Sequence, residues 1–202
     1  RAPRMQQLFR RNSSSGSRAP LSEVCRRIVE DLKALASIEN GDTSASKEEL
    51  QRRRTACEDL QQQLQVVIGA CAVDAAQGEV TESPSRVWSP SGTVKKKYLP
   101  QELRDFMTQL LTEDVPTLLV GSLDRLEFEA RKAVLGAFSA LIRIAPELGV
   151  EEQIEEYVMR QPHFFDLLVD GYSSLEIATH CGIMLRSCAR QRVLVAAFLA
   201  RP

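Results

Sequence analysis

Between residues 100 and 190 the same order of helices occurs twice, and that order leaves few folds open. Apolar residues recur at helical spacing over 100–111, 116–123 and 127–143, then again over 151–160, 163–169 and 174–190. Each set runs short helix, short helix, long helix. Pro100 opens the first set at a favourable first-turn position. Val115-Pro116, Pro146 with Gly149, and Pro162 mark the breaks. No segment shows sustained strand alternation. Three short helices cannot bury their apolar faces alone, and stacking one set on the next closes the core.

The chain is therefore read as all-α. A unit of roughly 45 residues is the period of armadillo and HEAT arrays, which wind into a right-handed superhelix. The third helices of such units line a concave surface, and here they are 127–143 and 174–190. Upstream, a helix starting at Ser22 carries Val24, Ile28, Leu32 and Leu35 at steps of three and four. Asn40-Gly41-Asp42 signals a loop, and Ser46 with Glu49 forms a capping box for the next helix. That helix has Leu50, Cys57, Leu60, Leu64, Val67 and Cys71 at apolar positions, which suits a coiled coil but is read as a packed helix of the array.

Residues 1–20 are basic and Ser-rich with little to bury, and are read as a disordered leader; a transit peptide is the alternative. Met5 is a candidate start, and the apolar run reaching Pro202 suggests a partial sequence. Residues 21–202 would then be the N-terminal part of an armadillo-like domain, self-associating through its last helix, which light scattering would detect. Residues 74–98 read as a long surface loop. Within it Ser83-Pro84 and Ser89-Pro90 suit proline-directed kinases, as the Arg10-Arg11-Asn12-Ser13 run suits a basic-directed one, and Lys95 to Lys97 reads as solvated. Trp88 either folds back onto the body or docks a partner; both readings stay open.

Composition removes several functions. A net charge of −1 gives no bulk attraction to nucleic acid or anionic membrane. No apolar run approaches the roughly 20 residues of a membrane span. The five cysteines, an odd number without framework spacing, read as small core residues in a reducing, cytoplasmic compartment. His163 and His180 are the two histidines; His180 adjoins Cys181, but helical neighbours point about 100° apart and make no dyad. HExxH, paired CxxC, EF-hand and Gly-rich phosphate motifs are missing from the sequence. The expectation is a protein that is not an enzyme, with no metal, cofactor or small-molecule substrate.

What remains is a surface. With Ser174 as N-cap and steps of about 100°, Ile177, Cys181, Met184, Leu185 and Cys188 gather on one side of the last helix. Glu176, Thr179, His180, Ser187 and Arg190 gather on the other, and Ile183 falls among them. An apolar residue ringed by charge on a regular helix has the form of a protein-binding anchor. One repeat earlier, Glu129, Lys132, Ser139 and Arg143 form the matching polar face.

The run Leu167-Leu168 through Gly171-Tyr172, then Glu176-Ile177-Ala178, Cys181 to Arg186 and Cys188, closely resembles the mouse protein 25 family, also called calcium-binding protein 39. Leu126-Glu127-Phe128-Glu129 with Arg131-Lys132 looks like the matching segment one repeat earlier. The resemblance covers 99–200 well and 21–73 loosely. It implies an armadillo-like scaffold without enzymatic activity that binds Ste20-type kinases or a related pseudokinase on its concave face and holds the kinase active. On that basis Ile183 would be the central contact, with Glu176, His180, Arg190, Glu129, Lys132 and Arg143 around it. The family's downstream repeats, which hold a partner's C-terminal tail, are absent from these 202 residues. The 74–97 loop is longer than the family's connection. The alternative is a helical-repeat adaptor reading an extended peptide, which would want Asn and Trp ladders; neither third helix contains either residue.

Overall fold

The two third helices lie side by side, as the repeat predicts. The computed structural model describes residues 19–37, 47–72 and 98–200. The expected leader, the capping serine Ser46, the two Ser-Pro sites and Trp88 lie outside them. The helices are α1 (Leu21–Ser37), α2 (Lys47–Ala70), α3 (Pro100–Thr112), α4 (Val115–Gly121), α5 (Phe128–Leu148), α6 (Glu151–Arg160), α7 (His163–Asp170), α8 (Ala178–Cys188) and α9 (Arg192–Leu199). Short 3-10 turns at Leu123–Arg125 and Gly171–Ser173 precede α5 and α8. No strand occurs among the described residues.

The order of packing is that of a helical-repeat array of the armadillo/HEAT kind. Helix α2 and the third helices α5 and α8 pack in sequence; second helices α4 and α7 pair; α1, α3, α6 and α9 follow one another along the remaining side. Each contributes a narrow apolar stripe. In α1 the stripe is Val24, Ile28, Leu32 and Leu35, as the spacing predicts, and in α3 it is Phe106, Met107, Leu110 and Leu111. In α2 the buried run starts at Ala56, and Leu50 is exposed. Phe164 is the aromatic centre, stacked on Phe138 at 6.2 Å and edge-on to Tyr157 and Phe165.

The turn between α3 and α4 shows how one repeat locks to the next. Asp114 adopts φ 56°, a left-handed conformation uncommon outside glycine. The Tyr157 hydroxyl, coming from α6, donates to Asp114 Oδ1 at 2.6 Å and accepts the Thr117 N–H at 3.0 Å. Burial, followed by the Asp114 carboxylate, pushes the tyrosine's ionisation upward, so it stays a donor.

Two boundaries differ from the sequence reading. Helix α5 runs past Arg143 through Pro146 and closes at Gly149, whose φ of 63° makes the left-handed cap. Pro146 has no N–H to give to the carbonyl four residues back, that of Ile142. The Gln191 side-chain amide donates to that carbonyl at 2.8 Å, so the helix continues without an orphaned acceptor. At the other boundary, the last long helix starts at Ala178, not at a Ser174 cap. Ser174 is extended, and its carbonyl accepts the N–H groups of Ile177 and Ala178.

The five cysteines are free and buried, as expected of core residues. Burial raises the thiols of Cys25 and Cys71 to about 11 and that of Cys188 to about 12. No helix among the described residues is long and apolar enough to cross a membrane.

Candidate docking surface

The layer of third helices is tied at both ends by hydrogen bonds that repeat from one unit to the next. At the N-terminal end, Arg53 of α2 donates through Nε to the Arg125 carbonyl at 2.9 Å, just before α5. Arg131 of α5 reaches the Glu176 carbonyl at 3.3 Å and its carboxylate at 2.9 Å, just before α8. The same guanidinium donates Nε–H to the Leu123 carbonyl at 2.8 Å. At the C-terminal end, Arg143 of α5 donates to the Cys71 carbonyl beyond α2 at 3.2 Å, and Gln191 does the same for Ile142 of α5. Midway, Ser187 donates to the Ile183 carbonyl at 3.0 Å and so accepts from Ser139 at 3.2 Å.

Ile183 stands 41% exposed on this layer. Phe128, at the first turn of α5, is 63% exposed. The Lys132 ammonium lies 5.4 Å from the Phe128 ring centroid and pairs with Glu129 at 3.1 Å. His180 meets the same ring edge-on, with centroids 6.4 Å apart and planes at 83°. The face therefore offers two apolar protrusions, one on each of two neighbouring helices, with charges beside them. Among the described residues no group of acidic, histidine and cysteine side chains could hold a metal ion.

Several expected surface residues are held differently from the helical-wheel reading. His180 is 8% exposed, and Ser187 is buried too, because α5 packs along the edge of α8 on which both lie. Burial, then the nearby Arg131 charge, lowers the His180 pKa, so its neutral form is favoured. Its Nδ1 is enclosed with no hydrogen-bond partner among the described residues. Glu176 is exposed but engaged by Arg131. Arg143 is exposed, with its tip spent on the α2 terminus. Glu129, Lys132 and Arg190 are exposed as expected.

Phe128, Arg131 and Gln191 are the residues that helical periodicity alone did not place. Phe128 had a readable signal, since 100° steps put it off the Val134–Phe138 stripe and one turn from Lys132. Arg131 and Gln191 had none, because their partners are backbone carbonyls of other repeats.

Comparison with known proteins accords with this architecture. Calcium-binding protein 39-like of Homo sapiens is 30% identical over 103 residues, which is 51% of this chain and 30% of that protein. Mo25-like protein of Schizosaccharomyces pombe is 34% identical over 90 residues, 45% of this chain and 27% of that one. MO25-like protein 2 of Caenorhabditis elegans is 34% identical over 92 residues, 44% of this chain and 27% of that one. The matched stretches thus span under a third of these relatives' own length. The family profile described as Mo25-like runs from residue 8 to residue 202, nearly end to end, and the chain belongs to that family.

Proposed function

We propose that the α2–α5–α8 face docks a protein kinase or pseudokinase of the Ste20 class, and that this chain is part of a non-catalytic cytoplasmic scaffold. The observation that carries the reading is a half-exposed Ile183, with Phe128 exposed on the adjacent helix, on a layer whose register is held at both ends. An apolar anchor on a preorganised support loses little conformational entropy on binding. A surface of this kind acts on a kinase by differential affinity: contacting the active conformation better than the inactive one shifts the population toward it. Phe128 and Ile183 are the contacts; Glu129, Lys132, Glu176, Arg143 and Arg190 form the polar surround. His180 meets the Phe128 ring edge-on from α8.

The test is calorimetric binding of a Ste20-type kinase domain, with Ile183→Asp and Phe128→Ala alongside. Each variant should weaken binding by about tenfold, or about 1.4 kcal/mol, with the helical circular dichroism unchanged. Tight binding indifferent to both substitutions would remove this face from the reaction.

A further inference from the structure

The charge on this face is divided in a way that bears on what it meets. At the N-terminal end the charges are matched: Lys132 with Glu129, and Arg131 with Glu176. At the C-terminal end they are not. From Ile177 to Pro202 the sequence has four arginines and no Asp or Glu. Two of them, Arg186 on α8 and Arg190 just beyond it, are exposed, and neither enters an ion pair or side-chain hydrogen bond among the described residues. Arg143 of α5, one turn before the exposed Glu147, adds a third arginine, bonded to the neutral Cys71 carbonyl. A helix C-terminus accounts for part of this, because its carbonyls favour cations within the last turn. Arg190, beyond the end of α8, is not accounted for in that way.

Ile183, Arg186 and Arg190 follow one another at steps of three and four, so they share one stripe of α8 and its continuation. Seven residues at helical rise put Arg190 about 10 Å from Ile183 along the axis. Resting on the reading that this face docks a protein, we propose that the partner contributes an acidic segment, with a carboxylate on Arg186 and Arg190, about one and two helical turns respectively from an aliphatic side chain on Ile183. Burying an unpaired guanidinium against an uncharged surface is costly, whereas a carboxylate can meet the guanidinium fork with two parallel hydrogen bonds. A partner basic at that position is repelled, so the stripe sets orientation as well as affinity.

The experiment measures affinity for a Ste20-type kinase domain at low and high salt. It uses the parent chain, the double variant Arg186→Glu/Arg190→Glu, and Ile183→Asp. Parent affinity should fall about five- to tenfold between low and high salt, and the double reversal should cost at least about tenfold at low salt and lose that dependence. Arg186→Lys/Arg190→Lys should keep most of the binding. If the double reversal changes neither affinity nor salt dependence while Ile183→Asp weakens binding, the acidic-partner inference falls and the docking face stands. If neither variant has an effect, or the kinase domain does not bind, both fall. A single-stranded RNA that competes with the kinase domain, and whose own binding needs Arg186 and Arg190, would make the stripe a nucleic-acid site and overturn the inference.

Discussion

Asp31 offers the sharpest quantitative test of the packing. It lies on α1 facing α2, with Oδ2 enclosed and no hydrogen-bond partner among the described residues. Burial, with the Asp59 and Glu30 carboxylates adding to it and Arg27 opposing, pushes its pKa up to about 7. An unfolded aspartate titrates near about 3.9. Between those values the folded chain holds a proton that the unfolded chain has released. Stability must therefore fall as pH rises from about 4 to about 7 and flatten above that. Three pKa units correspond to about 4 kcal/mol, and because Asp31 is half-buried, solvent screening reduces that to about 1–2 kcal/mol. Asp31→Asn keeps the shape and removes the charge. The variant should therefore be more stable by about 1–2 kcal/mol at about pH 8 and by less than about a tenth of that near pH 3. For a chain of 202 residues the gain at the higher pH is a rise of about 3–6 °C in Tm. Thermal unfolding followed by circular dichroism across a pH series reads it directly. A gain of equal size at every pH, or none at high pH, would refute the assignment of Asp31 as a buried, uncompensated carboxyl.

The remaining predictions concern hydrogen bonds between repeats. Gln191→Leu leaves the Ile142 carbonyl without a donor and should cost about 1–2 kcal/mol in urea unfolding; Pro146→Ala in the same chain restores an N–H and should recover most of it. Tyr157→Phe strands the Asp114 carboxylate and the Thr117 amide and should cost about 1–3 kcal/mol, measured the same way. Arg131→Ala should be worse than Glu176→Ala, at about 1–3 against about 0–1 kcal/mol, because the arginine also holds the Leu123 carbonyl while the glutamate is solvent-exposed. Equal costs would mean that the ion pair, not the carbonyl bonds, is what matters.

The array was legible because period and punctuation agree: Val24, Ile28, Leu32 and Leu35 report burial through spacing alone, as do Phe106 and Leu110. The departures share one cause, which is that a neighbouring repeat supplies what local sequence lacks. Pro146 reads as a helix end, yet Gln191, 45 residues on, provides the missing donor. Ser174 has the chemistry of a cap, but the Arg131 tie to Glu176 accompanies a turn that delays α8 until Ala178. His180 and Ser187 are polar and fall beside Ile183 on a wheel, which describes one helix and carries no information about a second lying along its edge. Of the candidate surface, Ile183 was visible as a misfit among polar neighbours and Phe128 as a residue off the apolar stripe of α5, whereas their adjacency becomes visible only when α5 and α8 are seen side by side.

The paired end bonds of the third helices have a consequence for recognition at a distance. For α5 to slide by one turn against α8, a travel of about 5.4 Å, the Arg131 and Gln191 bonds would both have to break, since they sit at opposite ends of the same interface. The layer therefore works as a ruler with fixed graduations, on which Phe128 and Ile183 are two marks. On the proposed docking reading, a partner would be gauged by whether its own projections match that interval. Substitutions at Arg131, Gln191 or Pro146, none of which need touch the partner, would alter which partners fit by moving the marks.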